Sequence, residues 1–341
     1  MIDDADLDAA VAAGILDATA RERLQAFTRD RVRSVAGPDE ESFRLLTGFN
    51  DIFVTIAVGL VLFAIGALAG RFAPVLGAGL VAAASWGLAE YFTRVRRMAL
   101  PSIVLLLSFV ASVVATVLML ATGGTSIGPE THGSLGVVAA AAAGVVAAYA
   151  HWRRFMVPIT VAAGAAAVAG TLLAAVVAVM PVPRDLLLVL VLAAGLGVFA
   201  LAMTFDMRDR ARVTRGSDVA FWLHLLAAPM IIHPVFALAG LLHDNPAPGA
   251  AVAVITVYAG LTLVALAIDR RALLVSALVY VIYAIQALVV SGGALDMSLA
   301  LTALVIGSFL VLLSAAWRPV RARVLTLLPG GVTARLPVAT V

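Results

Sequence analysis

The chain has 341 residues, 63% of them hydrophobic and only 13% charged, so it cannot cover a soluble fold with polar side chains, which predicts a membrane protein. Cysteine is absent, which excludes disulfides, thiolate catalysis and cysteine-bound metal centres. All 23 side chains counted as Lys or Arg are arginines, and the net charge of +3 predicts orientation against an anionic lipid leaflet rather than nucleic-acid binding.

Residues 1–50 predict a small cytoplasmic helical region. A helix over 4–13 stops at Gly14, and Asp17 is placed to cap a second helix that runs through Val35. The last ten residues of this region predict an interfacial helix that lies on the membrane surface. The region is too short to bury a core of its own, so we expect it to dock on the membrane part or on a partner.

Apolar segments of about 20 residues follow one another through the rest of the chain, and this length crosses a bilayer. They predict an all-α polytopic transmembrane helix bundle over 51–317, with about ten spans and a basic cytoplasmic tail over 318–341. The fourth segment is rich in Ala and Gly and only marginally apolar, so we expect other helices to surround it. The predicted spans are 51–70, 72–92, 100–122, 134–150, 156–180, 185–205, 218–242, 249–268, 272–291 and 296–317.

The arginines between the spans fall almost entirely in alternate loops. The odd-numbered connections carry only Arg71 and Arg184. Because positive residues are retained on the cytoplasmic side, both termini and all even-numbered loops are predicted to be cytoplasmic. The even-numbered loops and the tail start carry Arg94, Arg96, Arg97, Arg153, Arg154, Arg208, Arg210, Arg212, Arg215, Arg270, Arg271, Arg318, Arg321 and Arg323.

Small residues predict close helix contacts. Gly66 and Gly70 are four residues apart, and Gly164 and Gly170 lie in a later span, so neighbouring backbones can approach closely there. The pattern is compatible with a tight bundle or with a dimer face, and it does not separate the two.

Predicted span seven carries two histidines and two prolines within one apolar run. Intramembrane ionisable groups are costly, so His224 and His233 are candidates for a proton relay or a polar substrate contact. Pro229 and Pro234 remove backbone donors, which predicts a broken helix near His233. The histidines lie about 13.5 Å apart along a straight helix and half a turn out of phase, so a shared metal is not expected. The alternative is that each is a neutral, hydrogen-bonded packing residue.

Predicted span nine carries a polar stripe at mid-membrane depth, formed by Tyr280 and Tyr283 with Gln286 beside it. Such a stripe must face protein or water rather than lipid. It could line a pathway together with span seven. The alternative is interhelical hydrogen bonding alone.

The acidic residues of the spans are interpreted as structural. Asp218 begins span seven and can cap its first amides. Glu90 precedes Arg94 by four residues, which is the favourable order for a helix pair. Asp206 and Asp269 close spans beside arginines.

The chain resembles a group of uncharacterised bacterial polytopic integral membrane proteins of the domain-of-unknown-function type. The resemblance rests on the short N-terminal helical pattern Leu7…Ala13-Gly14-Ile15-Leu16…Leu24 before the array of spans, and on the segment from Phe221 to Pro229. The lack of lysine beside abundant Ala, Val and Leu is also typical of GC-rich bacterial coding. The resemblance implies a bacterial inner membrane, but it implies no activity and no functional residues.

These patterns predict an integral inner-membrane protein that is transporter- or permease-like. Its pathway for a small molecule or protons would run beside spans seven and nine. The alternative is a non-transporting scaffold or sensor whose N-terminal helices bind a cytoplasmic protein; a homo-oligomer fits either. No cofactor, metal or catalytic residue is predicted, since no nucleophile with a base, paired acids or metal-ligand spacing stands out, and an enzyme is not expected. The candidate polar contacts are His224, His233, Tyr280, Tyr283 and Gln286.

Overall fold

The computed structural model of the chain is helical throughout the part that it describes. The helices are α-helices except for one π-helical turn. The chain divides into two compact units, Met1–Arg44 and Leu45–Ala339. The structure describes residues 4–25, 49–123, 135–210, 212, 214–240, 250–271, 274, 278, 282, 298–333 and 336–337.

The described part of the N-terminal unit, residues 4–25, contains two helices, and the first of them, α1, covers Asp4–Ala12. The chain leaves α1 through Gly14, which has a φ of +69°, a conformation that glycine adopts without strain. The second helix, α2, is described over 18–25, and Asp17 caps it because its Oδ1 accepts a hydrogen bond from the amide of Ala20 at 2.7 Å. This bond holds the pKa of Asp17 below its ordinary value. The predicted stop and cap are therefore confirmed, whereas the predicted end of α2 and the interfacial segment over 41–48 lie outside the described residues.

Long apolar helices make up most of the described residues of the second unit. Among the described helices seven, α3 to α9, are long and apolar enough to cross a membrane. Such a chain is a multi-pass membrane protein. The helices are α3 Phe49–Gly70, α4 Pro74–Ala89 with a π-helical turn Glu90–Val95, α5 Ala99–Ala121, α6 Leu135–Phe155, α7 Ile159–Val179, α8 Arg184–Arg208, α9 Arg215–Leu238, α10 Ala250–Ile268, α11 Ser298–Ala315, α12 Trp317–Thr326 and α13 Gly330–Thr333.

The helices follow the predicted spans within a few residues. The first seven predicted spans correspond to α3 to α9, and the eighth and tenth correspond to the helices α10 and α11. The ninth lies outside the described residues except for Leu274, Leu278 and Ile282, which are helical. The marginal fourth span is the helix α6, which packs against α5 and α7 as expected. The all-α fold is thus confirmed, and the count of about ten spans with cytoplasmic termini stays a prediction.

The predicted break in span seven is wrong, because α9 runs without interruption from Arg215 to Leu238. Pro229 and Pro234 both lie inside this helix. Half of the apolar stretch of α9 is buried inside the protein, a larger share than in any other of the seven described spans. The helices α7 and α8 pack against it. Proline is tolerated in a membrane helix when surrounding protein supports the backbone. Packing therefore outweighs the two lost backbone hydrogen bonds.

Glycines bring neighbouring helices into backbone contact at Gly66 and Gly70, as predicted, whereas a Cβ added at Gly170 of the second predicted pair would have nothing within 4 Å. A Cβ added at Gly77 of α4 would stand 2.8 Å from the carbonyl oxygen of Gly66 and 3.0 Å from the amide of Gly70 on α3. A Cβ added at Gly195 of α8 would stand 2.8 Å from the Cβ of Met230 on α9. The Gly66 and Gly70 contact thus serves packing within the chain.

The contact at Gly195 predicts that even one methyl group will separate α8 from α9. Gly195→Ala should destabilise the protein by about 1–3 kcal/mol, the usual cost of overpacking. The matched control is Gly197→Ala on the same helix, where nothing lies within 4 Å of the added Cβ. The control should be neutral or stabilising by up to about 1 kcal/mol, since alanine is the better helix former. Thermal denaturation of detergent-solubilised protein measures both, and equal midpoints would contradict the close contact.

Candidate functional site

A buried ion-pair cluster joins α8, α9 and the turn after α10. We call it the Asp206 cluster, and it consists of Asp206, His224 and Arg270. Nε2 of His224 lies 2.9 Å from Oδ2 of Asp206. The guanidinium of Arg270 donates to Oδ1 of Asp206 at 2.5 Å and to Oδ2 at 3.3 Å. The three side chains are at most 2% exposed, so a charged group here has no water to solvate it.

Each helix presents its member of the cluster for a local reason. Asp206 lies two residues before the end of α8, on the buried face that also carries Ala202. His224 lies on the face of α9 that carries Ala220 and Ala227, all fully buried. The small neighbours leave room for the imidazole and the carboxylate to meet.

Arg270 reaches the cluster because of the turn that ends α10. Asp269 has a left-handed backbone with a φ of +58°, which aspartate tolerates better than most residues. The next amide, that of Arg270, then donates to the carbonyl oxygen of Ala265 at 3.0 Å and closes the helix end. The guanidinium also donates to the carbonyl oxygen and the hydroxyl of Ser217, at 3.2 and 3.3 Å, near the start of α9.

The hydrogen bonds define what the cluster can do chemically. A carboxylate only accepts, so Nε2 of His224 carries the hydrogen that it donates to Asp206. Nδ1 of a neutral His224 then holds a lone pair, and it has no hydrogen-bond partner in the described part of the chain. With His224 neutral, the charges of Asp206 and Arg270 cancel. The site is therefore a neutral buried ion pair with one free base nitrogen.

A second cluster lies directly beside the first. We call it the Asp269 cluster, and it consists of Asp269, Arg212, Trp317 and Arg321. Nε1 of Trp317 donates to Oδ1 of Asp269 at 2.8 Å, and Arg212 donates to Oδ2 at 3.0 Å. Arg212 also donates to the carbonyl oxygen of Asp269 at 2.9 Å, and Nε of Arg321 lies 3.6 Å from Oδ1. This cluster fixes the turn that carries Arg270.

The C-terminal segment is bound to the same end of the bundle. Nε of Arg210 donates to the carbonyl oxygen of Leu336 at 2.9 Å, and Arg321 donates to that of Pro337 at 2.8 Å. The side chain of Leu336 is buried and belongs to the apolar cluster that contains Ile232 and Trp317. Hydrogen bonds thus connect residues Leu336 and Pro337 to the same part of the bundle as the turns after α8 and α10.

The first half of the bundle contains an ion pair with the same spacing. Glu90 accepts from Arg154 at 2.6 and 2.9 Å, and these residues are 64 positions apart, as Asp206 and Arg270 are. Arg94 also donates to Glu90 at 2.8 Å, which confirms the predicted helix pair. Unlike the Asp206 cluster, this pair is exposed, with side-chain accessibilities of 44% and 32% for Arg154 and Glu90.

A second fully buried histidine lies near that pair, on α6. The ring of His151 packs against Phe155, with centroids 4.5 Å apart, and Trp86 and Phe109 complete an aromatic enclosure. Its Nδ1 lies 3.3 Å from Oγ1 of Thr160, whereas Nε2 has no described partner. No carboxylate is bonded to this histidine in the described part of the chain, so it lacks the partner that defines the Asp206 cluster.

The structure does not bring the predicted site residues together in one site. His224 lies in the Asp206 cluster, whereas His233 is exposed on another face of α9, so the two do not meet. Tyr280, Tyr283 and Gln286 lie outside the described residues, and the polar pathway stays a prediction.

Sequence reasoning missed the pairing of Asp206 with Arg270, because it interpreted Asp206 as a residue that closes a span and Arg270 as an arginine of a cytoplasmic loop. Asp206 could have been noticed because it lies inside the last turn of an apolar helix rather than beyond it. The predicted cap at Asp218 is wrong as well, because Thr214 caps α9 and its hydroxyl accepts from the amide of Gly216 at 3.1 Å. Asp209 in turn accepts from the amide and the hydroxyl of Thr214, at 2.9 and 2.6 Å.

Comparisons with protein-family models, with curated proteins and with solved structures found no match for this chain. Any function proposed for it must therefore rest on the geometry of the site.

The buried ion pair predicts a strong coupling between Asp206 and Arg270. Asp206→Asn or Arg270→Met should each destabilise the protein by about 3–5 kcal/mol, because either change leaves an unpaired buried charge. The double variant should lose much less than the sum of the two. Denaturation midpoints in detergent measure this cycle.

The matched control is the exposed pair, with Glu90→Gln and Arg154→Met. Exposed ion pairs contribute little to stability, so these variants should shift the midpoint only slightly. Additive losses at Asp206 and Arg270 would show that the two residues do not act as a buried pair.

Proposed function

We propose that this chain is a transporter- or permease-like protein of a bacterial inner membrane. In this proposal it has about ten spans with both termini in the cytoplasm, and a small molecule or protons pass beside α9. The arginines of the alternate loops support the orientation. The lipid bilayer is its first partner, and a homo-oligomer is compatible with the same arrangement.

The observation that carries the proposal is the Asp206 cluster. An ionisable histidine, a carboxylate and a guanidinium are enclosed between apolar helices, where charged groups are expensive. Stability alone is a weak reason to keep such a group, since apolar residues of similar volume often pack as well or better. Ionisable groups inside a bundle are typical of ion and proton pathways. His224 adds a free base nitrogen that a structural ion pair does not require.

In this proposal the predicted stripe of Tyr280, Tyr283 and Gln286 lines the same pathway as α9. His233 is less well suited, because it is exposed and lies on another face than His224. In this proposal His224 is the central contact, and His233 serves the outer part of the helix.

A scaffold or sensor is the second candidate, and a different observation favours it. Met1–Arg44 form a compact unit separate from the helix bundle, and such a unit suits the binding of a cytoplasmic protein. The Asp206 cluster would then hold the bundle together without conducting anything. The two candidates differ in whether water reaches the cluster.

The absence of cysteine allows a direct test by labelling single-cysteine variants. Ala220→Cys and His224→Cys place a thiol on the buried face of α9, beside and at the cluster. Intact cells and inverted vesicles are treated with a membrane-impermeant maleimide. If a pathway opens to water, both sites should react, because the reagent needs only a water-filled route to the thiol.

Two control sites make the labelling interpretable. Arg215→Cys at the exposed start of α9 should react only in inverted vesicles, which tests the proposed orientation. Leu172→Cys lies on an exposed apolar face of α7 and should not react, because lipid excludes the reagent. If Ala220→Cys and His224→Cys stay unlabelled from both sides in folded protein, the transporter proposal fails and the scaffold candidate replaces it.

A further inference from the structure

The carboxylate of Asp206 is shared by two donors that can both be cationic. Oδ2 accepts from Nε2 of His224 at 2.9 Å and from Nε of Arg270 at 3.3 Å. Arg270 is permanently charged, whereas the charge of a histidine depends on pH. A single buried carboxylate can neutralise only one of two full positive charges.

We propose that the ligand of the Asp206 cluster is a proton, and that its binding to Nδ1 of His224 displaces Arg270 from Asp206. The proton comes from hydronium in the water on the arginine-rich side. One O–H bond of the hydronium breaks and leaves its electron pair on the water oxygen, while the proton forms an N–H bond with the lone pair of Nδ1. The imidazolium keeps its hydrogen bond to Asp206 and takes over the charge pairing. This inference rests on the proposed function, because it requires that protons can reach residue 224.

The surrounding charges favour the departure of one cation. Asp206, Arg270 and Arg212 act electrostatically on His224. Arg212 is already paired with Asp269, so a protonated His224 and Arg270 both depend on the carboxylate of Asp206. The helix α7 packs against α9 and contains no titratable side chain. Tyr258 is the titratable side chain of α10. It lies in the apolar cluster that contains Ile232. Of the described carboxylates nearby, Asp209 binds Thr214 and Asp269 binds Arg212 and Trp317, so neither is at hand to offset the added charge.

Arg270 has a second set of acceptors at hand. Its guanidinium already touches the carbonyl oxygen and hydroxyl of Ser217. The exposed carboxylate of Asp218, the next residue, lies within electrostatic range of Arg270. The guanidinium of Arg270 can thus leave the buried carboxylate of Asp206 for acceptors near the start of α9. It keeps its hydrogen bonds to Ser217 in doing so.

The exchange would be transmitted to the rest of this end of the bundle. Arg270 follows Asp269 directly, and Asp269 binds Trp317 and Arg212. A shift of Arg270 must therefore move the turn that these residues hold. Trp317 is a natural reporter because its indole donates to Asp269.

The experiment is fluorine NMR of the full-length protein in detergent, with its four tryptophans replaced by 5-fluorotryptophan. Single Trp→Phe variants assign the resonances. The Trp317 resonance should follow a one-proton titration as the pH is lowered, because a histidine gains a charge when it takes up a proton. In His224→Gln the titration should disappear, because the amide keeps a hydrogen bond to Asp206 but cannot take up a proton.

Two further variants make the result specific. Asp206→Asn should hold the Trp317 resonance at its acid position throughout, since Arg270 has no anion to return to. His151→Gln removes a second histidine that is fully buried among the described residues, and it should leave the titration unchanged. A titration that persists in His224→Gln, or none in the folded wild type, overturns the proposed exchange.

The labelling and the titration fail independently. Labelling at residue 224 without a titration would leave the pathway standing and reject the exchange. A His224-dependent titration without labelling would support the exchange and assign it to a proton sensor rather than to a transporter.

Discussion

The arrangement of this end of the bundle depends on one carboxylate that is removed from water. Asp206 needs a cation because a bare charge among apolar helices is prohibitively costly, and Arg270 supplies it from the turn after α10. The guanidinium comes from just beyond the end of α10 at Ile268, where the left-handed backbone of Asp269 terminates the helix. Asp269 then gathers Arg212 and Trp317. Pairing the buried carboxylate of Asp206 thus links the ends of α8 and α10 and the start of α12.

The arginines that indicate orientation also have specific structural partners. The positive-inside pattern treats them as interchangeable charges near the membrane surface. In the structure Arg210 holds the carbonyl oxygen of Leu336, Arg212 binds the α10 end, and Arg321 holds the carbonyl oxygen of Pro337. Guanidinium groups suit such roles because they present several donors in one plane. Lysine would retain the topological signal at these positions but would lose the bidentate contacts.

Local patterns in the sequence were sufficient for the helices but not for the site. Length and hydropathy locate α3 to α9 because a membrane span depends on its own residues. The continuity of α9 through Pro234 was not predictable, since packing by neighbouring helices decides it. The pairing of Asp206 with Arg270 spans 64 residues, and each residue alone resembles an ordinary helix end. His224 could be selected because it is ionisable within an apolar run, but its partner required the tertiary structure.

The two ion pairs of equal spacing show how environment gives the same chemistry different consequences. Glu90 with Arg154 and Asp206 with Arg270 each join an acid at the end of one helix to an arginine that ends the helix two further on. The first pair is exposed at the surface of the protein, and exposed ion pairs contribute little, so a change of charge nearby should have little effect. Protein encloses the second pair, and only there does a histidine share the carboxylate. Burial therefore makes the second pair sensitive to one proton, and it also requires that the proton have a route to His224.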